Sequence, residues 1–156
     1  MSVLRIAHAA CQAMRLHGER TYPNECCGAL LGRSVAGCWE VVAAVEARNA
    51  STGSARNRYS IAPADLVRIE REARRQQLAI AGYYHSHPGH PAEWSPTDLA
   101  EAHWLGCVYV ITSVLRGRAE DTRAFLLAGE REESKRFERL GIEIFDKAPS
   151  PAKRRD

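Results

Sequence analysis

Two histidines separated by one residue are the most informative feature of this chain. His85 and His87 close an apolar run, residues 78–84, and Pro88 and Gly89 follow them. A short apolar run bounded in this way is typical of a buried strand. Because residues i and i+2 of a strand point to the same face, both imidazoles can reach one point, as two ligands of a metal ion must.

A serine and an aspartate follow within one short loop. Ser95-Pro96-Thr97-Asp98 is a good helix start, with Ser95 as the N-cap, a proline at the first helical position and an acid in the first turn. A metal-binding interpretation is compatible with this one. Two imidazoles and one carboxylate, with a fourth position left to water, form the ligand set of a catalytic rather than a structural zinc site.

Hydrolysis at such a site also needs a general base, and a carboxylate suits that role. Glu25 lies between a predicted turn and a predicted strand. Nothing local selects it over Glu19, Glu93 or Glu101. The base therefore stays open at this point.

Four other residues could carry chemistry. The adjacent thiols of Cys26 and Cys27 are compatible with redox chemistry or metal binding, but we favour small buried residues at a strand start. We expect His90 and His103 to lie on the surface or to support the site, with His90 the nearer of the two to it.

Helices and strands alternate along the chain. Strands are predicted over residues 27–31, 39–45, 59–62, 78–87, 107–114, 122–128 and 142–145, the last as an edge strand, and helices over residues 3–18, 63–77 and 95–105. A polar surface loop is predicted over residues 46–58, a helical or irregular segment over 130–140 and a basic, disordered tail over 147–156. This order predicts one α/β domain over residues 1–146, a mixed β-sheet flanked by helices.

Composition limits the class of protein. The chain has 156 residues, 26% of them charged, and a net charge of +3. Arginines are interleaved with acids, as in residues 68–72, which indicates a solvated helix face rather than a nucleic-acid surface. No apolar run is long enough to span a membrane, and the N-terminus makes a poor secretion signal. Five cysteines, an odd number, indicate reduced thiols and a cytoplasmic location.

In combination, Glu25, His85-Ser86-His87-Pro88 and Ser95-Pro96-Thr97-Asp98 resemble the JAMM (MPN+, JAB-domain) zinc metalloproteases. The family pattern is an upstream glutamate, then His-x-His-Pro, then Ser-x-x-Asp. Residues 23–32 are also similar to the family's segment around the glutamate, and the element order fits over residues 3–145. The resemblance implies the MPN/JAB (cytidine-deaminase-like) architecture, and no catalytic position departs from the active pattern.

The resemblance also implies roles. His85, His87 and Asp98 would hold Zn²⁺, and a water in the fourth position would have its pKa lowered toward roughly 7. Glu25 would take the proton of that water and pass it to the leaving amine. Ser95 would donate a hydrogen bond to the developing oxyanion.

Family members cleave peptide or isopeptide bonds after the C-terminal Gly-Gly of ubiquitin-like proteins. This chain is similar to the stand-alone bacterial members that process ubiquitin-fold sulfur carriers. An extended Gly-Gly tail suits binding along a sheet edge. Whether the enzyme trims residues, cuts isopeptide bonds or releases cysteine is left open, as is a homodimer.

Three other functions fit the sequence less well than a JAMM-type protease. A non-catalytic MPN-like scaffold has no need of the intact site. Another His-x-His metallohydrolase, such as an amidohydrolase, requires a barrel of about 250 residues. A nucleic-acid binder would show steeply salt-dependent binding, which the interleaved acids disfavour.

Overall fold

A computed structural model of the chain describes residues 2–51 and 59–146. The strands are β1 (Val3–Ala7), β2 (Cys27–Val35), β3 (Cys38–Ala47), β4 (Ala79–Pro88), β5 (Val108–Leu115), β6 (Arg118–Ala128) and β7 (Arg136–Phe145). The helices are α1 (His8–Thr21), α2 (Pro63–Arg75) and α3 (Pro96–Glu101), and a 3₁₀ turn spans Glu132–Ser134.

The sheet closes into a barrel in the order β1-β3-β2-β4-β5-β6-β7. The pairs β1–β3, β1–β7 and β4–β5 are parallel, and the others are antiparallel. The predicted mixed α/β character is confirmed. The predicted mixed β-sheet flanked by helices is corrected to a closed barrel, because β1 and β7 pair with each other.

The N-terminal segment was assigned to the wrong element. Residues 3–7 form a strand, and the helix begins at His8 and continues past Gly18 to Thr21. Apolar residues at positions 3, 6, 10 and 14 fit a helical spacing, but Leu4 and Ile6 are buried in strand alternation. Parallel partners on both sides of β1 decide the conformation, since strand preference depends on tertiary context.

The predicted edge strand over 142–145 is a strand but not an edge. β7 begins earlier, at Arg136, and pairs with β6 on one side and with β1 on the other. The error follows from the one at the N-terminus. A chain whose first segment is taken for a helix has no partner for its last strand.

The sheet has two faces with different partners. On one face, α1 packs Ala10, Cys11 and Met14 against strand residues such as Leu30 and Tyr84. On the other face, the helix α2 packs Ile69 and Ala73 against residues that include Cys27, Ala29, Leu31, Tyr83 and Tyr109. The pleat of β4 alternates its side chains between these faces, so Tyr84 faces α1 whereas the neighbouring His85 faces the α2 side.

Strand β4 carries both histidines and is paired along both of its sides. It pairs with β2 on one side and β5 on the other, and residues 81–86 are all buried. A Cβ on Gly82 would lie 1.8 Å from the carbonyl oxygen of Val108. Glycine is therefore required there by the close approach of β5.

Other boundaries shift by a few residues. Helix α2 ends at Arg75 and α3 at Glu101, earlier than predicted. Residues 59–62 form no strand but one isolated bridge between Asn49 and Ile61. Residues 52–58 of the predicted polar loop and residues 147–156 of the predicted basic tail lie outside the described residues. In the described part of the chain, no helix is long and apolar enough to cross a membrane.

Candidate metal centre

The register between β2 and β4 places Glu25 beside the histidines. Cys27 is paired with His85 in this antiparallel ladder. Just beyond it, the Cys26 N–H donates to the Ser86 hydroxyl at 2.8 Å, and the Ser86 N–H donates to the Cys26 carbonyl at 3.2 Å. Continuing the ladder by one residue puts Glu25 opposite His87 on the face that carries His85.

Four electron-rich atoms converge at the end of β4. The Nε2 atoms of His85 and His87 lie 3.1 Å apart. The Oδ1 atom of Asp98 lies 3.2 Å from the first of them, and its Oδ2 atom lies 3.1 Å from the second. Glu25, His85 and His87 also each offer one ligand atom within 4.8 Å of the others. The fold thus brings together residues from β4, α3 and the segment before β2.

The tautomer of His87 fits a metal ligand. Its Nδ1 lies 2.8 Å from the carbonyl oxygen of Pro91, to which it donates. In the neutral ring the lone pair is then on Nε2, which faces a carboxylate and a second imidazole. Such a group of acceptors is stable only with a proton or a cation between them, and two nitrogens with carboxylate oxygen are ligands that zinc takes. The residues therefore fit Zn²⁺.

Helix α3 begins with a capping box that holds Asp98. The Asp98 N–H donates to the Ser95 hydroxyl oxygen at 3.0 Å, and Asp98 Oδ2 accepts from the Ser95 N–H at 2.9 Å. Both sequence interpretations of this segment are thus compatible in one structure. Ser95 Oγ accepts in the cap, so its own hydroxyl proton can be donated elsewhere.

The far end of α3 is held as well. Lys135, whose side chain is 8% exposed, donates through Nζ to the carbonyls of Ala100 and Ala102 at 3.1 and 2.9 Å. A cation at the C-terminal end of a helix satisfies carbonyls that have no partner within the helix. The short helix that carries Asp98 is thereby fixed at both ends.

The site is strongly polarised. Burial raises the pKa of Asp98, but hydrogen bonds with His85 and His87 outweigh it, and the pKa falls far below its ordinary value. Burial prevails at His85 and lowers its pKa. At His87 burial also acts to lower the pKa, but the contacts with Asp98 and Pro91 prevail and raise it. Asp98 is therefore the anionic member of the group.

Glu25 differs from the other three glutamates considered. It is 4% exposed, and burial, together with the charges of Asp98 and Glu101 and against that of His87, raises its pKa to about 8. Glu19 accepts from the Ala119 N–H at 2.9 Å, and Glu93 forms an ion pair with Arg123. Glu25 alone of the four belongs to the candidate ligand group found among the described residues.

Tyr59 belongs to the site, although the sequence analysis missed it. Its ring stacks on His85 with centroids 4.4 Å apart and planes at 22°. Within the described residues, the buried Nδ1 of His85 has no hydrogen-bond partner. Packing against Tyr59 therefore helps to hold this ring. No periodicity links residue 59 to the motif, so only the folded chain reveals the contact.

A cavity of about 530 Å³ opens beside this stack. Aromatic rings supply much of its wall, and Glu101 and His103 also line it; the rings are those of Tyr59, Tyr83, Trp104 and Tyr109. Of the two remaining histidines named from the sequence, His103 lines this cavity, whereas the His90 N–H donates to the His87 carbonyl at 3.4 Å. Cys26 and Cys27 are buried, as favoured above, and burial raises the pKa of Cys26 to about 11 and that of Cys27 to about 12.

Comparison with known proteins agrees with this arrangement. Residues 8–128 match a family model described as prokaryotic homologs of the JAB domain. The chain belongs to the JAB-domain family. The matched range includes Glu25, both histidines, Ser95 and Asp98, so the resemblance drawn from the motif is confirmed.

Individual proteins extend the comparison. The chain is 32% identical over 125 residues to a probable TtuB-protein conjugate cleaving protease of Thermus thermophilus, covering 80% of this chain and 76% of that protein. A solution structure from Salinibacter ruber is 34% identical with a TM-score of 0.69, covering 94% of this chain and 95% of that one. Another from Desulfitobacterium hafniense, 22% identical with a TM-score of 0.77, covers 92% and 94% and supports the fold alone.

Proposed function

We propose that this JAB-domain protein is a zinc-dependent protease that hydrolyses the bond after the C-terminal Gly-Gly of a ubiquitin-like, sulfur-carrier type protein. The observation that carries the proposal is the convergence of His85, His87 and Asp98 within 3.2 Å, with Glu25 beside them. A scaffold would have no use for these atoms in one place. The substrate class is supported by the printed name of the Thermus relative.

His85, His87 and Asp98 would hold the metal through the atoms that converge. When bound, Zn²⁺ supplies a Lewis acid for the scissile carbonyl and lowers the pKa of a coordinated water. Asp98 provides the negative charge, and the Pro91 carbonyl orients His87 for the task. The stacked Tyr59 holds His85.

Glu25 would act as general base and then as general acid. Burial raises its pKa to about 8 in the metal-free protein, and the positive charge of a bound Zn²⁺ would lower this pKa, so that the carboxylate could accept and return a proton near neutral pH. It would accept a proton from the attacking water and deliver it to the leaving amine. Ser95, whose oxygen is already engaged in the helix cap, would donate its hydroxyl proton to the developing oxyanion.

The aromatic cavity is the candidate site for the substrate tail. It adjoins His85 through Tyr59, and aromatic rings supply much of its wall. Glycines lack a Cβ and can approach such walls closely. In this arrangement the scissile carbonyl would lie on the His85 side and the leaving amine on the Glu25 side.

Intact-mass spectrometry tests the proposal. A bacterial ubiquitin-fold sulfur carrier extended past Gly-Gly is incubated with the zinc-loaded protein, with its Glu25→Gln variant, and with the protein plus chelator. A product ending at Gly-Gly in the first reaction alone is expected. If a zinc-loaded protein leaves every such fusion intact, the protease proposal is wrong and the scaffold alternative gains.

A further inference from the structure

The side chain of Asn49 joins two parts of the candidate site that are distant in sequence. Its Nδ2 donates to the Glu25 carbonyl at 3.2 Å. Its Oδ1 accepts from the Ser51 N–H at 3.0 Å and from the Ser60 N–H at 3.2 Å. One amide therefore binds the main chain of Glu25, the base of the proposed reaction, and the main chain on both described sides of the connection between β3 and α2.

The geometry also settles the orientation of this amide. Two backbone N–H groups can only donate, and a carbonyl can only accept. Oδ1 must therefore face Ser51 and Ser60, while Nδ2 faces Glu25. Neither arm can be exchanged for the other by turning the group over.

Each arm leads to a different function. Beyond Ser60 lies Tyr59, which stacks on His85, and Ser51, Tyr59 and Ser60 all line the aromatic cavity. The main chain at Asn49 reinforces this arm through a bridge to Ile61 and the Ala50 N–H bond to Ser60 at 2.8 Å. The donor arm instead reaches Glu25, which lines a second, polar cleft with Asn49 itself.

We propose that Asn49 is a positioning residue: its donor arm sets Glu25, and its acceptor arm sets the cavity rim that carries Tyr59. The inference rests on the proposed protease function, because it divides the roles of base and tail site. A misplacement of about 1 Å at a reacting group can cost on the order of 100-fold in rate, so one main-chain contact to Glu25 is consequential.

The two arms can be removed separately. Asn49→Asp keeps an oxygen for Ser51 and Ser60 but replaces the donor facing the Glu25 carbonyl with a second oxygen. We expect kcat on the extended carrier to fall about 10-fold or more, with KM changed less than about twofold. Asn49→Ala removes both arms, so kcat should fall and KM should rise.

Asn24→Asp is the matched control for charge. Asn24 lines the same cleft as Glu25, and its backbone N–H bond to Thr21 is unaffected by the substitution. It therefore introduces the same negative charge without removing the contact. Equal loss of kcat in Asn24→Asp and Asn49→Asp would overturn the positioning role, as would a normal kcat in Asn49→Asp.

A second measurement is independent of activity. Hydrogen exchange by NMR at the Ser51 and Ser60 amides should be unchanged in Asn49→Asp and faster in Asn49→Ala, with zinc affinity the same in all forms. Unchanged exchange in Asn49→Ala overturns the acceptor arm whatever the enzyme cleaves. If the unaltered protein cleaves no carrier, the protease proposal fails and this role with it, whereas the exchange data still report the contact.

Discussion

Cys27 and His85 face each other across the β2–β4 ladder, and this one pair sets the geometry of the candidate metal centre. The strand pleat puts His87 on the same side as His85. The antiparallel register then puts Glu25 opposite His87, although the two residues are 62 positions apart in the sequence. A register slip of one residue would turn Glu25 to the opposite face.

Asp98→Asn should abolish tight zinc binding without unfolding α3. The amide oxygen can still accept from the Ser95 N–H, so the cap is kept, but the negative charge and one ligand oxygen are lost. We expect zinc affinity, measured by competition with a chromophoric chelator, to fall by more than about 100-fold, since even outer-shell changes cost about 10–100-fold.

The control for this change is Asp121→Asn, which removes an exposed acid that pairs with Arg123. Its zinc affinity should match that of the unaltered protein. Full zinc occupancy in Asp98→Asn or in Asp98→Ala would remove Asp98 from the ligand set.

Glu25→Gln should keep zinc and lose most activity. The substitution preserves shape while removing the group that accepts and returns the proton, a contribution of about 10²–10⁴-fold to rate. Glu101→Gln is the matched comparison, because Glu101, like Asp98, is close enough to raise the pKa of Glu25 but is not one of the proposed zinc ligands. Single-turnover rates and zinc content are measured for both variants. An equal loss of rate in Glu25→Gln and Glu101→Gln would contradict the assignment of Glu25 as the general base.

Ser95 caps α3, and substitutions can separate this cap from its proposed role as oxyanion donor. Ser95→Ala removes the cap on α3 and should cost about 1 kcal/mol of unfolding free energy. Loss of the proposed oxyanion donor should also lower kcat by about 10²–10³-fold. Ser95→Thr keeps a hydroxyl and should be mild in both respects. Urea denaturation measures the loss of stability, and steady-state kinetics measure kcat. If Ser95→Ala were less stable but kept its kcat, Ser95 would be a helix cap and not the oxyanion donor.

Stability of the metal-free protein should depend on pH through Glu25. Burial raises the pKa of this carboxyl from 4.5 to about 8 in the folded state. Between these values the folded state binds one more proton than the unfolded state, so this contribution to stability is present below about pH 4.5 and is lost as pH rises through 8.

Glu25→Gln removes the titrating group. Relative to the unaltered protein, the variant should therefore gain stability on going from pH 5 to pH 9, on the order of 2–4 kcal/mol. Urea denaturation in the presence of chelator at the two pH values measures this difference. A constant difference between the two proteins would mean that the buried carboxyl ionises normally.

Local sequence patterns predicted the elements that carry the candidate site residues. The histidine strand, the helix start at Ser95 and the strand after Glu25 lie where the sequence predicted them. Each is defined by neighbouring residues, namely an apolar run, a capping pattern and turn residues. The choice of Glu25 over Glu19, Glu93 and Glu101 was different in kind, because it depended on family resemblance rather than on anything local.

Errors in the fold occurred where distant segments decide the outcome. The helix predicted over residues 3–7 is wrong because their apolar spacing fits both a helix and a strand. The pairing with β3 and β7 that decides between them involves residues far away in the sequence. The same closure turns the predicted edge strand into an interior one. Tyr59 and Asn49 are invisible for a related reason, since their partners lie 26 and 24 residues away in sequence.

By itself, the sequence predicted the candidate ligands and the helix cap, because the types and spacing of His85, His87, Ser95 and Asp98 are local properties of one strand and one helix start. Tertiary structure alone decided how Glu25 comes to lie beside the histidines, which ring stacks on His85, and how the sheet closes. Those features depend on register and on contacts between segments far apart in the chain, and such contacts form only when the burial of both faces selects one arrangement of the strands.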